Sequence, residues 1–428
     1  MKLFLGRMRT RAWPSLFVLI LTAFACHAQS SAPVIEVPNP PNAVAQQSKP
    51  YVVLVSLDGF RFDYAQRYGA KHLLALAARG ASAPDGMIPA FPSLTFPNHY
   101  SIVTGLYPDH HGIVANSFYD PARKEKYSYT DPKTNADGSW YGGTPLWVLA
   151  EQQGMRAASF FWPGSEAEIQ GKRPSYYMRY DDKFPDEMRV DQVLAWLRLS
   201  PAQRPHFITL YYSNVDHAGH SFGPDAPETG DAVRHVDEMI GRLADGLATL
   251  GLAVDLIVVS DHGMETAQGG WVAFDKWADL SQFETAGSLL YAKSEADAEK
   301  VYNALAGVSD KFKVYRRADL PKNLHFDSNL REGDPVVIPT GPFYITAHLP
   351  GNSMTPTRGT HGYDPGAMQS MKAIFYAAGP DIRAGVNVKS FENINLYPFI
   401  ADILGLRTGP VDGQLSAIQG VLKKSVVH

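Results

Sequence analysis

The chain has 428 residues, 45% of them hydrophobic and 19% charged, with a formal net charge of −4. That length exceeds the usual size of one domain but suits a large α/β protein built on one continuous sheet, and the apolar content allows a sizeable core. The near-neutral balance gives no support for a basic, nucleic-acid-binding face.

In chain order, residues 1–28 read as a secretory signal. Lys2, Arg7, Arg9 and Arg11 form a basic start, and residues 16–25 form an apolar run of signal length, too short for a membrane span. Cleavage after Ala28 or after Ala25 fits the small residues there. An uncleaved anchor and a lipoprotein built on Cys26 are the alternatives, and Ala23 stands against the lipoprotein, where such signals usually carry Leu. A periplasmic or secreted mature chain with no stable membrane span is expected. Cys26 is the only cysteine, so cleavage after Ala28 leaves no disulfide even in an oxidising compartment.

Residues 29–50, rich in Pro, Ser, Ala and Asn without periodicity, read as a flexible linker. Residues 51–57 are a continuous apolar run ending at Asp58, the pattern of a central strand buried on both faces. Residues 206–213 and 255–260 repeat it, and residues 372–377 are a further strand closed by Gly379-Pro380. Helices are expected at 65–79, 144–153, 188–199 and 231–250. The alternation argues for a mostly parallel central sheet with helices on both faces, with functional groups beyond the carboxyl ends of the strands. Residues 282–342 are less regular, with a helix at 294–305 and a strand at 311–316. They read as a small α+β insertion within a domain spanning 51–406, followed by a C-terminal tail at 407–428.

The strand ends carry chemistry. Asp58 follows the first strand, Asp216 and His220 lie in Asp216-His217-Ala218-Gly219-His220, and Asp261 and His262 in Ser260-Asp261-His262-Gly263. Thr95 lies in Phe91-Pro92-Ser93-Leu94-Thr95-Phe96-Pro97, and His361 in Gly359-Thr360-His361-Gly362. Three Asp, three His and one Thr suit two tetrahedral zinc ions, and such a pair can clamp the attacking and leaving oxygens of a phosphoryl group. A helical turn brings Asp216 and His220 to one face. Asp261 and His262 are adjacent, so the chain must leave β geometry there, and Gly263 would permit the turn. Singly, an Asp at a strand end is usually a cap or turn residue, and Thr95 before Pro97 is a natural helix cap. His99, His110, His111 and His217 are not expected as ligands, and His111 reads as support for the turn at Gly112.

These segments, with the run from Phe96 through Tyr107-Pro108 and His111-Gly112-Ile113 to Asn116 and the stretch Phe161-Trp162-Pro163-Gly164-Ser165-Glu166, resemble the nucleotide pyrophosphatase/phosphodiesterase family of the alkaline phosphatase superfamily. The resemblance covers roughly residues 51–406 and implies an alkaline-phosphatase-like α/β fold. It implies two zinc ions per chain, one on Asp216, His220 and His361 and the other on Asp58, Thr95, Asp261 and His262. Thr95 would be the nucleophile and Asn116 a phosphate contact. Phe96, Tyr177 and Tyr211 would hold a nucleobase or another substituent. The activity implied is hydrolysis of phosphate diesters, such as nucleotide diesters or dinucleotides, through a phospho-threonine intermediate. A threonine-dependent monoesterase and a diesterase for lipid or choline-type esters are the alternatives. A monoester asks for an extra cation near the phosphoryl oxygens. None lies in the Thr95 or Asn116 segments before Arg123, and Lys172 and Arg173 are the first suspects. The lone Cys26 excludes a cysteine-derived sulfatase nucleophile.

Overall fold

The computed structural model describes residues 34–351 and 356–423. The expected signal segment, 1–28 with Cys26, lies outside them. Among the described residues no helix is long and apolar enough to cross a membrane.

The main sheet has nine strands among the described residues. In chain order they are β1 (Ile35–Glu36), β2 (Tyr51–Leu57), β3 (Ala81–Ser82), β4 (Ala157–Phe160), β5 (Tyr176–Met178), β6 (Phe207–Tyr212), β7 (Val254–Val259), β8 (Phe375–Ala378) and β9 (Val386–Asn387). Across the sheet they run β1-β5-β4-β6-β2-β7-β8-β3-β9. The five from β5 to β7 are parallel. β8 is antiparallel to β7 and β3, and β1 is antiparallel to β5 at the edge. The expected mostly parallel sheet is therefore present.

Every residue of β2 is buried, and its alternation feeds two cores. Val52 and Leu54 pack with Ile102 and Val103 of helix α2 (Thr95–Thr104) on one face. Val53, Val55 and Leu57 face the other, where they meet Leu73 and Leu76, and Val233 and Val236 of the long helix Pro227–Ala248. Strands covered by helices on both sides lose the apolar–polar alternation, which is why the run is continuous. The helix expected at 65–79 is two pieces, Tyr64–Tyr68 and α1 (Lys71–Arg79), because the first stops at Gly69 in the left-handed conformation.

Of the expected linker, 29–33 lies outside the described residues, and residues 34–50, though mostly exposed, are anchored at β1 and Asn42. β1 joins the sheet, and the buried Asn42 side chain donates to Pro201 O and Arg204 O at 2.8 and 2.7 Å and accepts from Arg156 N at 2.7 Å. Long-range contacts between a polar side chain and the backbone leave no trace in hydropathy. The stretch expected as a tail likewise places Ile418 and Val421 in the core. In the insertion, a hairpin of Phe283–Ala286 with Leu289–Ala292 and the antiparallel pair Phe312–Tyr315 with Val336–Pro339 accompany helix Glu295–Leu305. They enclose their own core of Leu290, Val301, Leu305, Phe312 and Val337, which also takes in Val272, Phe274 and Ala347 beyond the expected limits.

One clamp fixes the layer under the sheet. Helix α1 begins after Ala70, which has no capping side chain. Asp237 of Pro227–Ala248 serves instead, accepting from His72 N at 3.0 Å and Leu73 N at 2.8 Å. It satisfies two N–H groups that a helix start otherwise leaves unpaired. Asp237→Ala should destabilise the protein by about 1–2 kcal/mol, read as a lower urea midpoint with an unchanged slope.

Candidate metal centre and active site

Parallel pairing of β2 with both β6 and β7 puts three chain exits side by side. Asp58 leaves β2. Asp261 and His262 leave β7. β6 leads through Ser213 into helix α3 (Asn214–Phe222), which presents Asp216 and His220 one turn apart. Gly59 makes the first exit possible. Its φ of +69° is left-handed, and a Cβ there would lie 2.8 Å from Asp216 Cα. Gly263 is needed for space rather than for a left-handed turn: a Cβ would meet Ser370 O at 2.1 Å.

The expected ligand groups converge. His262 Nε2 lies 3.0 Å from Asp261 Oδ2, 3.5 Å from Asp58 Oδ1 and 3.3 Å from Thr95 Oγ1. His361 Nε2 is 3.2 Å from His220 Nε2 and 3.7 Å from Asp216 Oδ1, and His220 Nε2 is 3.4 Å from the same oxygen. The His262 and His361 rings stack at 3.6 Å between centroids, so the two sets share a boundary. Each histidine is oriented through Nδ1 by a backbone carbonyl: Gly263 O for His262 at 2.9 Å, Gly359 O for His220 at 2.8 Å and Ser93 O for His361 at 3.0 Å. That bond makes Nδ1 the protonated nitrogen and turns the Nε2 lone pair into the site.

The electrostatics ask for a cation. Asp58 Oδ1, Asp216 Oδ1 and Asp261 Oδ2 are buried without a hydrogen-bond partner. Among the described residues no Lys or Arg pairs with any of the three; the nitrogens beside them belong to imidazoles. Burial, then the charges of Asp261 and Asp216, push the Asp58 carboxyl well above the usual range. Asp261 is held low: burial pushes it up, but His262 and His99 outweigh that. Burial, then His262 and His220, push His361 well below its ordinary value, which leaves it neutral. Orphaned carboxylate oxygens beside imidazoles oriented through Nδ1 are the donor set that zinc takes, so these residues fit the metal. Donor atoms within 4.8 Å of one another form two groups, Asp216 with His262 and His361, and Asp58 with His99 and Asp261. This grouping puts His262 with Asp216 and His361, unlike the sets that the resemblance implies, and brings in His99, whose nitrogens are already engaged by Ser56 Oγ at 2.8 Å and Thr95 O at 2.9 Å.

Thr95 is the first residue of α2, behind Leu94 at the cap position. Its hydroxyl faces His262 rather than capping the helix. Asn116 Oδ1 accepts from Phe96 N at 3.0 Å, which leaves its amide N–H groups to donate. Thr95, Phe96 and Asn116 line one cavity of about 700 Å³ with Asp58, Asp216 and His361.

The aromatic expectations divide. Phe96 lines this cavity, with Tyr129 at 5.3 Å between rings. Tyr211 also lines it, but its hydroxyl is committed to Asp58 Oδ2 at 2.6 Å. Tyr177 is buried in β5, paired with Ile35, and is not among the lining residues; Tyr180, past the end of β5, takes that place. The run Ser175-Tyr176-Tyr177-Met178-Arg179-Tyr180 signals an aromatic wall without saying which tyrosine clears the strand. Tyr129 had no sequence signal. Neither Lys172 nor Arg173 lines the cavity, and Arg173 is tied to Glu168. Arg179 does line it, beside Glu166, and helps to offset the upward push of burial on that carboxyl. His217 reaches the rim. His111 accepts from Ile113 N, the turn support expected of it.

Fold and site together define an alkaline-phosphatase-like α/β protein with a candidate two-metal centre. The family model described as type I phosphodiesterase/nucleotide pyrophosphatase matches residues 52–364, and the chain belongs to that family. It is 36% identical over 406 residues to human ectonucleotide pyrophosphatase/phosphodiesterase family member 1, covering 91% of this chain and 43% of that protein. It is 37% identical over 389 residues to the venom phosphodiesterase of Macrovipera lebetinus, covering 87% of this chain and 45% of that one. The chain thus spans less than half the length of these two relatives. Murine ectonucleotide pyrophosphatase/phosphodiesterase 5, solved as an inactive threonine-to-alanine variant in complex with AMP, superposes with a TM-score of 0.82 at 30% identity. That match covers 88% of this chain and all of the other.

The Tyr211–Asp58 bond offers a test of the site. Tyr211→Phe keeps the ring and removes the donor that orients Asp58. It should weaken zinc binding about 10–100-fold, measured by competition with a chromophoric chelator, with the thermal midpoint little changed.

Proposed function

We propose that the protein is a two-zinc phosphodiesterase with nucleotide pyrophosphatase activity, acting in the periplasm or outside the cell. The observation that carries this is the convergence of the Thr95 hydroxyl, at a helix N-terminus, with three orphaned carboxylate oxygens and three oriented imidazoles. Asp216, His220 and His361 would hold one zinc, and Asp58, Thr95, Asp261 and His262 the other. Bound zinc supplies Lewis acidity, which favours the alkoxide of a coordinated hydroxyl and neutralises charge on phosphoryl oxygens.

Thr95 Oγ1 is the nucleophile. Its proton passes to solvent as the bond to phosphorus forms, the ester bond to the departing group breaks, and the departing oxygen takes up a proton. Water then cleaves the phospho-threonine bond, restores the hydroxyl and releases a monoester. The N-terminus of α2 favours the anion held there. Asn116, with its oxygen held by Phe96 N, donates to a non-bridging oxygen. Phe96, Tyr129 and Tyr180 wall the cavity in which a nucleobase stacks, a contact worth about 1–3 kcal/mol per base. The AMP seen in the murine neighbour supports a nucleotide substrate, and its inactive threonine-to-alanine form supports a threonine nucleophile.

Arg179 favours a second reading, a monoesterase, because it is the Lys or Arg that lines the cavity among the described residues. Its neighbour Glu166 offsets its charge, which keeps the diester reading first. On zinc-loaded protein the kcat/KM for a nucleoside 5′-phosphodiester should exceed that for the matching monoester by about tenfold or more; the reverse order selects the monoesterase.

Thr95→Ala should lower kcat by about 10³-fold or more while retaining the fold. Chelation should abolish turnover of the wild type, and added zinc should restore it. A Thr95→Ala variant near the wild-type rate overturns the nucleophile, and full turnover in metal-free protein overturns the metal mechanism.

A further inference from the structure

A second cavity, of about 340 Å³, adjoins the first. Asn116 and His361 line both, whereas Thr95 and Phe96 line only the first. Loops 91–94 and 360–363 form one side. Residues 114–117 form another, and the rest comes from the insertion and its margin: the turn between Phe283–Ala286 and Leu289–Ala292, the strand Val336–Pro339 and the strand Tyr344–Thr346.

The chemistry of the two cavities differs. Leu94, Val114, Leu289, Phe326, Val337 and Phe343 set the character of the second, and among the described residues no Lys, Arg, Asp or Glu lines it. Its walls are pinned. Gly287 O accepts from Ala347 N at 2.8 Å and from the Thr346 hydroxyl at 3.3 Å. Ser93 Oγ donates to Tyr363 O at 2.7 Å, and the Thr360 and Tyr363 hydroxyls meet at 2.9 Å. A largely apolar hollow with pinned walls is a preformed binding site for apolar matter.

We propose that this cavity is a subsite for the second substituent of those diesters in which it is an uncharged alkyl or aryl group, while the charged departing group of a pyrophosphate substrate stays in the first cavity, beside Asp216, His220 and His361. The inference rests on the phosphodiesterase reading. A phosphoryl group held at Asn116 and His361 carries two substituents. The aromatic cavity takes the nucleoside, and an uncharged second substituent meets the apolar wall across Asn116 and His361. A charged group entering there would shed water with no opposite charge to receive it, whereas an alkyl or aryl group gains from leaving water. The insertion and its margin then act as a specificity element, supplying about half of this wall.

The test uses the methyl and hexyl esters of thymidine 5′-phosphate, which differ in chain length with nearly the same leaving-group chemistry. On the zinc-loaded enzyme the hexyl ester should have a kcat/KM about tenfold or more above the methyl ester. Ser288→Trp fills the cavity from the hairpin turn, and Leu289→Asn makes its wall polar. Each should bring the hexyl-to-methyl ratio towards one. A readout independent of turnover is the affinity of zinc-loaded Thr95→Ala for the two esters by calorimetry, with the hexyl ester expected to bind about tenfold tighter or more. Equal affinities there, or a wild-type hexyl-to-methyl ratio of one or below, overturn the subsite. Tighter hexyl binding with no turnover of either ester by the wild type keeps the subsite and overturns the phosphodiesterase reading instead.

Discussion

Parallel pairing of β2 between β6 and β7 is the constraint on which the site depends. Val55 sits opposite Leu210 on one side and Val258 on the other, so the three strands end together. Asp58, Asp261 and the start of α3 therefore emerge side by side, and the groups they carry need no long excursion to meet. Main-chain hydrogen bonds and two apolar cores hold the strands in that register. A one-residue slip would exchange Val53, Val55 and Leu57 with Val52, Leu54 and Ser56 between the two cores.

That arrangement opposes the ordinary rule for buried charge. Three carboxylates approach one another with imidazoles, and no Lys or Arg, beside them among the described residues. Burial and mutual repulsion work against the stability of this cluster. The surrounding layer makes it persist. Tyr211 and Ser260 hydroxyls and the Gly59 amide bind carboxylate oxygens, and backbone carbonyls lock the three ligand histidines. The groups are held in place by the scaffold and do not have to be gathered by a ligand.

The insertion is tied into the same frame. Arg331 donates to Asp120 and to the carbonyls of Gly112 and Trp140, and Ser328 and Asn329 bind Asp109. These bonds anchor it beside the loop that carries Asn116. A separately cored unit is thus fixed against the wall of the site, which gives its hairpin turn and strands a defined place next to Asn116 and His361.

The sequence by itself determined the central strands, because a segment buried on both faces must be apolar throughout and β2, β6 and β7 read that way. The ordered likeness of its segments to a known family implied that Asp58, Thr95, Asn116, Asp216, His220, Asp261, His262 and His361 come together, which no single strand end could have done. Tertiary structure alone decided the rest. Tyr180 and not Tyr177 walls the cavity because Tyr177 is held in a strand and Tyr180 lies past its end, a difference of three residues that composition does not register. Arg179 and not Arg173 reaches the cavity because Glu168 holds Arg173 elsewhere. Asn42 and β1 anchor a proline-rich stretch through bonds to residues more than a hundred positions away. Periodicity along a chain records which side of an element is buried; it carries no information about which distant backbone group, charge or ring will stand opposite.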